Sequence, residues 1–328
     1  MSTLGRGAVG VSRLAFGAAG IGNLFTPVTD DRARAAVAAA RAAGVRYFDT
    51  APHYGLGLSE RRLGGALSSV PRDEFVVSTK VGRLLEPSPA ARGDDLANGF
   101  AVPATHRRVW DFSADGVRRS IEESLRRLGL DRIDIAYLHD PDDHAEQALT
   151  EAYPELARMR DEGILGAIGV GMNQAELPAR FVRETDLDLV LLAGRYSLLD
   201  QRGLTELLPL AAERRVSVVV GGVFNSGLLA DPKPGATFDY AAAPPELLAR
   251  ALELKAVCER HGVPLRAAAL RFPFGHPAVA SVLVGARSAA EVQDAAAMLD
   301  RPVPAALWAE LRELGLLPAE VPTPEEVA

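Results

Sequence analysis

Apolar and polar positions along this chain fall into two alternating patterns. Short apolar or β-branched runs at 45–49, 75–80, 133–138, 166–170, 187–192, 216–220 and 279–284 read as strands. Longer Ala-, Leu-, Arg- and Glu-rich stretches at 30–43, 59–68, 113–128, 146–162, 175–183, 205–215, 245–261 and 289–299 read as helices. The stretch 113–128 shows the helical pattern best. Ser113 can cap its start, and Val117, Ile121, Ser124, Leu125 and Leu128 form one stripe. Glu122 and Arg126, like Glu123 and Arg127, are favourable four-apart pairs on the exposed side, and Gly129 ends the helix. Helix, glycine and strand recur in that order at Gly44, Gly129 and Gly163. Such alternation implies parallel strands joined by crossover helices. Seven strands are clear, an eighth is less so, and an N-terminal hairpin is expected around 9–16. About eight units with no linker predict one α/β domain over 1–328, a (β/α)8 TIM barrel, with an open doubly wound sheet as the alternative.

Two segments break the rhythm. Residues 84–111 are rich in Pro, Gly and polar residues and lie between a strand and a helix, so they predict a long loop of the kind that is usually functional or disordered. The tail 318–328 is acidic and proline-rich and is expected to be loosely ordered.

Composition narrows the classes. The 328 residues are 48% hydrophobic, enough for a large core. A net charge of −7 gives no reason to expect nucleic acid or an anionic membrane as partner. The lone cysteine, Cys258, excludes an internal disulfide and reads as a buried structural thiol. No apolar run is long enough to span a bilayer, and the mildly apolar, glycine-rich stretch 14–25 lacks the dense centre of a signal peptide. A cytoplasmic location is expected.

In a parallel barrel the active site lies at the C-terminal ends of the strands. Asp49 and Lys80 end strands, and His139 and Asn173 follow strands. Tyr54 lies five residues beyond Asp49. Taken singly, Lys80 reads equally well as a solvated charge, Asp49 as a turn, and Tyr54 as a packing aromatic. Together they have one chemical job. A lysine ammonium lowers the pKa of a neighbouring phenol, an aspartate holds the lysine charged, and a histidine orients a substrate oxygen. That set moves a proton during carbonyl reduction or alcohol oxidation. It lacks a hydride donor, so a nicotinamide, NAD or NADP, is required. A non-catalytic binding barrel and a Schiff-base aldolase with Lys80 as nucleophile are the rival functions.

These residues sit in recognisable surroundings. Phe48-Asp49-Thr50-Ala51-Pro52-His53-Tyr54-Gly55, then Ser59-Glu60 and Leu63-Gly64, resembles the first signature of the aldo-keto reductases. Ser78-Thr79-Lys80-Val81-Gly82 resembles their lysine strand, and Asp134 with Tyr137-Leu138-His139 their histidine strand. The resemblance runs from about Leu14 to Leu299. It implies a (β/α)8 barrel that transfers hydride between NAD(P)H and carbonyls or alcohols of small molecules. It also implies Tyr54 as general acid/base, with Asp49, Lys80 and His139 in the roles above.

Several positions depart from the common pattern. Met172-Asn173 stands where members usually carry Ser-Asn, so Asn173 alone can reach a carboxamide. Ala193 stands where a Gln is frequent, and the aromatic that stacks on nicotinamide has no clear counterpart in 220–228, where Phe224 is the substitute and Gly227 and Leu228 follow. These departures resemble the branch of aldose 1-dehydrogenases acting on sugars such as L-fucose and L-galactose, with pyridoxal dehydrogenases nearby. The segment holding Gly285 and Arg287 resembles the family's adenosine-phosphate site. Glu291 replaces an arginine common in NADP-preferring members, and a carboxylate there favours NAD, with NADP tolerated. From the loop 84–111, Trp110 and His106 are the candidate substrate contacts, and the cluster His106-Arg107-Arg108 otherwise reads as solvated. Gly17-Ala18-Ala19-Gly20-Ile21-Gly22 mimics a dinucleotide fingerprint but opens no helix. Asp140, Asp142, Asp143 and His144 read as a turn rather than a metal cluster.

Overall fold

The computed structural model describes residues 2–5, 9–88 and 92–324. Eight parallel strands close into a barrel: β1 (Leu14–Gly17), β2 (Tyr47–Asp49), β3 (Val76–Val81), β4 (Ile135–His139), β5 (Ala167–Met172), β6 (Leu189–Ala193), β7 (Ser217–Gly221) and β8 (Val279–Gly285). Each strand pairs with the next in sequence, and β8 closes on β1 from Val282↔Leu14 to Gly285↔Gly17. The chain thus forms the expected (β/α)8 barrel.

The eighth strand is the one at the N-terminus. Leu14–Gly17 is wholly buried and pairs on both sides, so it belongs to the barrel. The hairpin lies earlier, Ser2–Thr3 against Gly10–Val11. It pushes Leu4 and Val11 into the barrel's lower interior beside Ala15, Tyr47, Ile135, Ala167, Leu189 and Val219. That plug closes the end of the barrel opposite the strand C-termini.

Helices α1 (Asp30–Ala42), α2 (Leu58–Leu67), α3 (Ala114–Leu128), α4 (Tyr153–Asp161), α5 (Glu176–Glu184), α6 (Leu207–Arg214), α7 (Pro245–Arg260), α8 (Leu265–Arg271), α9 (Ala289–Asp300) and α10 (Ala305–Glu313) surround it. Ser113 caps α3 by accepting from Gly116 N–H at 3.0 Å, as its sequence predicts. The helix expected over 146–162 is broken. A short turn at Ala145–Gln147 and a π-turn at Ala148–Ala152 precede α4. Pro154 explains the break: it has no N–H to give and crowds the carbonyl four residues back, and a π-turn relieves both. α8 and α10 were not expected. Both start after a proline, Pro264 and Pro304, without a polar cap, so their entrances read as loop.

The segment after β3 is more ordered than a loop. Arg83–Pro87 pairs antiparallel with His106–Trp110, and Asp94–Asp95 with Phe100–Pro103. Residues 89–91 of the expected loop lie outside the described residues. The excursion folds over the mouth and docks on the β1–α1 loop, with Phe25 N–H on Gly99 O at 2.7 Å and Ala101 N–H on Asn23 O at 2.9 Å. The described part of the tail packs down as well. Val321 is buried and its carbonyl accepts from Arg312 at 2.8 Å; residues 325–328 lie outside the described residues. No described helix is long and apolar enough to cross a membrane.

Candidate active site

Side chains on a strand alternate between the two faces of the sheet. Tyr47 and Tyr137 point into the barrel, where their hydroxyls meet at 2.8 Å. Asp49 and His139 lie two residues further along the same strands and therefore point inward too. Val76 packs into the same interior, so Ser78 and Lys80 share its inward face on β3. Phe48, Val77 and Leu138 turn outward to the helices. Strand parity alone thus brings the strand-end residues to one place.

There Lys80 and Asp49 form a buried ion pair, only 2% and 1% exposed. Lys80 Nζ donates to Asp49 Oδ2 at 2.6 Å, to Asp49 Oδ1 at 2.8 Å and to the Thr50 carbonyl at 2.9 Å. Ser78 Oγ donates to Asp49 Oδ1 at 2.6 Å. Burial opposes the lysine's charge, but Asp49 and Tyr54 outweigh it and hold the ammonium above its ordinary pKa. A Schiff-base lysine must shed its proton to attack, so this setting argues against the aldolase alternative. Removing either partner would leave an uncompensated buried charge, at a cost of about 3–5 kcal/mol.

Tyr54 rides on the turn after β2. Its ring centroid lies 4.8 Å from Lys80 Nζ and 6.0 Å from the His139 ring, perpendicular to it. Gly55, at φ +60°, holds that turn against the β1–α1 loop; a Cβ there would stand 2.2 Å from the Gly22 carbonyl oxygen. Beneath the turn, buried Glu60 on α2 accepts from Thr79 at 2.8 Å and from Arg127 of α3 at 2.5 Å, locking both helices to β3. Burial pushes the Tyr54 phenol up to about 12, and the neighbouring Lys80 pulls it down only in part. Lys80 lowers the phenol's pKa as the sequence suggests, but in this pocket desolvation outweighs it, and Tyr54 rests protonated. Burial, reinforced by Arg83 and Lys80, holds His139 well below the ordinary histidine range, so it is a neutral imidazole.

These four residues line a cavity of about 590 Å³ with His53, Phe100, Asp140, Asn173, Leu283 and Gly285 among its other walls. A second cavity of about 410 Å³ adjoins it through shared Asn173, Ala193, Gly222, Tyr240, Leu283 and Gly285. Phe224 and Gly227 line this second space, while Leu228 is buried behind it. Arg287 and Glu291 lie beyond the groove, at the start of α9. Glu291 accepts from the Arg287 backbone N–H at 2.7 Å and approaches its guanidinium at 4.0 Å.

Trp110 stands on the rim, 44% exposed, lining a separate hollow with Arg83, Asp140 and His144. His106 reaches none of these spaces. It sits opposite Pro87 on the outer ladder and bonds Thr105 Oγ1 at 2.9 Å.

The basic cluster expected to be solvated is split by the strand's alternation. Arg107 points out to Glu86, whereas Arg108 turns in and pairs with buried Asp95 at 2.5 and 2.8 Å. Asp140 and His53 were not anticipated as cavity residues, nor Arg83 as lining the hollow beside it. His53 stood in the quoted motif and Asp140 directly follows His139, so adjacency was the available signal.

The whole-chain comparisons agree with this geometry. Residues 13–315 match the model of the Aldo/keto reductase family. The chain is an aldo/keto reductase. It is 51% identical over 313 residues to a D-threo-aldose 1-dehydrogenase of Pseudomonas sp, covering 94% of this chain and 95% of that one. It is 41% identical over 332 residues to a pyridoxal 4-dehydrogenase of Microbacterium luteolum, covering 96% and 97%. A solved aldo-keto reductase from Bacillus halodurans in its holo form superposes with a TM-score of 0.75 at 26% identity, over 97% of this chain and 96% of that one.

An aldo/keto reductase is an oxidoreductase working with a nicotinamide nucleotide, and the groove suits one. Cβ atoms added at Gly171, Gly221 and Gly285 would meet protein only at 3.6, 3.6 and 4.0 Å, and these glycines line the 590 Å³ cavity. Their lack of side chains leaves room against that wall for a planar ring. The nicotinamide, when bound, supplies or accepts the hydride.

Proposed function

We propose that this aldo/keto reductase oxidises the anomeric hydroxyl of a free aldose to the lactone, with an L-fucose- or L-galactose-type sugar as substrate. The observation that carries this reading is the 51% likeness, over nearly the whole of both chains, to a D-threo-aldose 1-dehydrogenase. The cavity supports it: His53, His139 and Asp140 offer donors and an acceptor for several hydroxyls, and Phe100 offers an apolar face.

In this reading Asp49, Lys80, Tyr54 and His139 are the catalytic residues. His139, neutral, orients the reacting oxygen. Tyr54 exchanges the hydroxyl proton, and Lys80, fixed by Asp49, favours the phenolate that receives it. In the reverse direction the resting phenol donates to a carbonyl oxygen. Asn173, Phe224, Gly227 and Gly285 hold the nucleotide in the groove. Leu228 supports that wall from behind, and Arg287 and Glu291 meet the adenosine end. Glu291 occupies Arg287, which favours NAD over NADP. Trp110 serves as an outer rim for larger substrates. Lactone hydrolysis in water draws the oxidation forward.

A second reading, pyridoxal oxidation, is favoured by the 41% relative and by the aromatic faces of Tyr54 and Phe100. A panel of L-fucose, L-galactose, D-arabinose, pyridoxal and simple aldehydes, followed through nicotinamide absorbance in both directions, separates the readings. Reduction of NAD or NADP by aldoses is expected. Aldehyde reduction with no aldose oxidation would replace the sugar reading with a general carbonyl reductase.

A further inference from the structure

One polar side chain of the cavity wall stands outside the catalytic four and is unusually constrained. The ring of His53 lies 6.0 Å from that of Tyr54 and 5.8 Å from that of His139, while those two rings are 6.0 Å apart. The three therefore mark the corners of a nearly equilateral triangle on the cavity wall.

Arg108 reaches in from the excursion. Its Nε donates to His53 Nδ1 and its Nη2 to the His53 carbonyl at 3.0 Å. Asp95, 5% exposed, fixes the other edge of the guanidinium. A guanidinium keeps its protons at any ordinary pH, so the ring nitrogen facing it must accept. The single proton of the neutral ring is then on Nε2. Among the described residues Nε2 has no hydrogen-bond partner, and it is absent from the sealed, unpartnered polar atoms of the core. It is therefore open, on a ring that lines the cavity. Burial, together with the positive charges of Arg83, Arg108 and Lys80, drives the imidazolium form down to about 2. Tyr54, His139 and Phe100, the other groups against the ring, carry no charge. Donor and tautomer stay the same from acid to alkaline solution.

We propose that His53 is a specificity-determining hydrogen-bond donor for an oxygen on the carbon next to the reacting one, with Asp95 and Arg108 as positioning residues that set its tautomer. The proposal deepens the aldose reading and rests on it for the identity of the substrate. Tyr54 and His139 address the reacting oxygen, and His53 Nε2–H is the third corner. A site with a fixed polar group selects against analogues that leave the group unpaired. The ligand class is thus a hydroxy-carbonyl compound or its cyclic form, with the C2 hydroxyl as the recognised group.

The test compares kcat/KM for matched substrates in wild type, His53→Leu and His53→Gln. One pair is an aldose and its 2-deoxy counterpart in oxidation; the other is lactaldehyde and propanal in reduction. The preference for the hydroxylated member should shrink about fivefold or more in His53→Leu, the loss of one neutral hydrogen bond. His53→Gln, whose amide N–H reaches similarly far, should retain it within about twofold. A double variant, Asp95→Asn with Arg108→Met, removes both charges and leaves no orphan ion. It should let the ring proton move to Nδ1 and so shrink the preference for the hydroxylated member, while burial, Arg83 and Lys80 still keep the ring neutral. Equal losses on both members of each pair, or a His53→Gln ratio as low as that of His53→Leu, would overturn the donor role. A full wild-type preference in the double variant would overturn the tautomer-setting role of Arg108. If no aldose is oxidised but the lactaldehyde preference responds as expected, the aldose reading fails and His53 keeps its role.

Discussion

The two ends of the barrel are built on different terms. Where helices run into strands, the turns are plain. Gly129 takes φ +65° and nothing lies within 4 Å of the place its Cβ would occupy. Where strands run into helices, the backbone is strained and crowded. Nine described non-glycine residues have positive φ; Arg215 ends α6 at the plain end, and the other eight, among them Phe25, Leu56, Asp140 and Tyr240, lie in loops at the mouth. A left-handed residue with a side chain costs roughly 1–2 kcal/mol. Strain concentrates at the end that holds the chemistry, as it does when surrounding structure over-determines a functional loop. The lower end, plugged by Leu4 and Val11, is instead closed by apolar packing.

The sharpest test uses two tyrosines of one barrel. Tyr54→Phe should reduce turnover by ~100-fold or more while leaving fold and cofactor affinity intact. Tyr137→Phe breaks the buried bond to Tyr47, so it should lower stability by about 1–3 kcal/mol while turnover stays within a few-fold. Melting curves and steady-state rates on both variants measure the contrast; a Tyr54→Phe enzyme within threefold of wild type would remove Tyr54 from its role.

The pH profile comes next in size. In its proposed role Tyr54 takes the proton as a phenolate, and its folded pKa is raised to about 12, so below that value the reactive fraction grows with pH. The kcat/KM for oxidation should climb by up to about tenfold per unit through pH 7–9, whereas reduction, which uses the resting phenol, should not. An oxidation profile that levels off near pH 7 would contradict the dominance of burial over Lys80.

Glycines give a third comparison. Gly129→Ala should cost only about 1–2 kcal/mol and spare activity, because only the backbone angle resists it. Gly55→Ala meets the Gly22 carbonyl as well, so it should displace the Tyr54 turn and lose several-fold more activity than stability alone explains. Equal activities in the two variants would show that crowding at the mouth is not what positions Tyr54. The smallest effect is expected at the groove's far end. Glu291→Gln frees Arg287 and should move the kcat/KM ratio a few-fold towards NADP, a partly exposed charge being screened. A wild-type preference of tenfold or more for NADP would run against the NAD reading.

The same contrast explains what the sequence could tell. The barrel was legible because buried strands and striped helices carry periodic signals, and strand-end positions follow from them. The mouth was not. The short pairs at Arg83–Pro87 and His106–Trp110 offer too few positions for a pattern, so Arg107 and Arg108 look alike although one faces water and the other His53. His106 and Trp110 stood out by residue type, yet the ladder keeps His106 outside and Trp110 at the rim. Phe25 and Tyr240, whose rings meet 6.1 Å apart across the mouth, occupy backbone angles that neither residue favours, and no local propensity encodes them.

The excursion after β3 begins and ends at one spot, since Arg83 pairs directly with Trp110. Its interior can therefore be lengthened, shortened or exchanged without shifting the register of β3 or the start of α3. It is a cassette: a piece of chain that lines the cavity through Leu96, Asn98 and Phe100, and backs His53 through Arg108, but bears none of the strand-end residues. Descendants of one catalytic barrel diverge in substrate by rewriting this insert alone, and an engineer seeking a new substrate would graft here first.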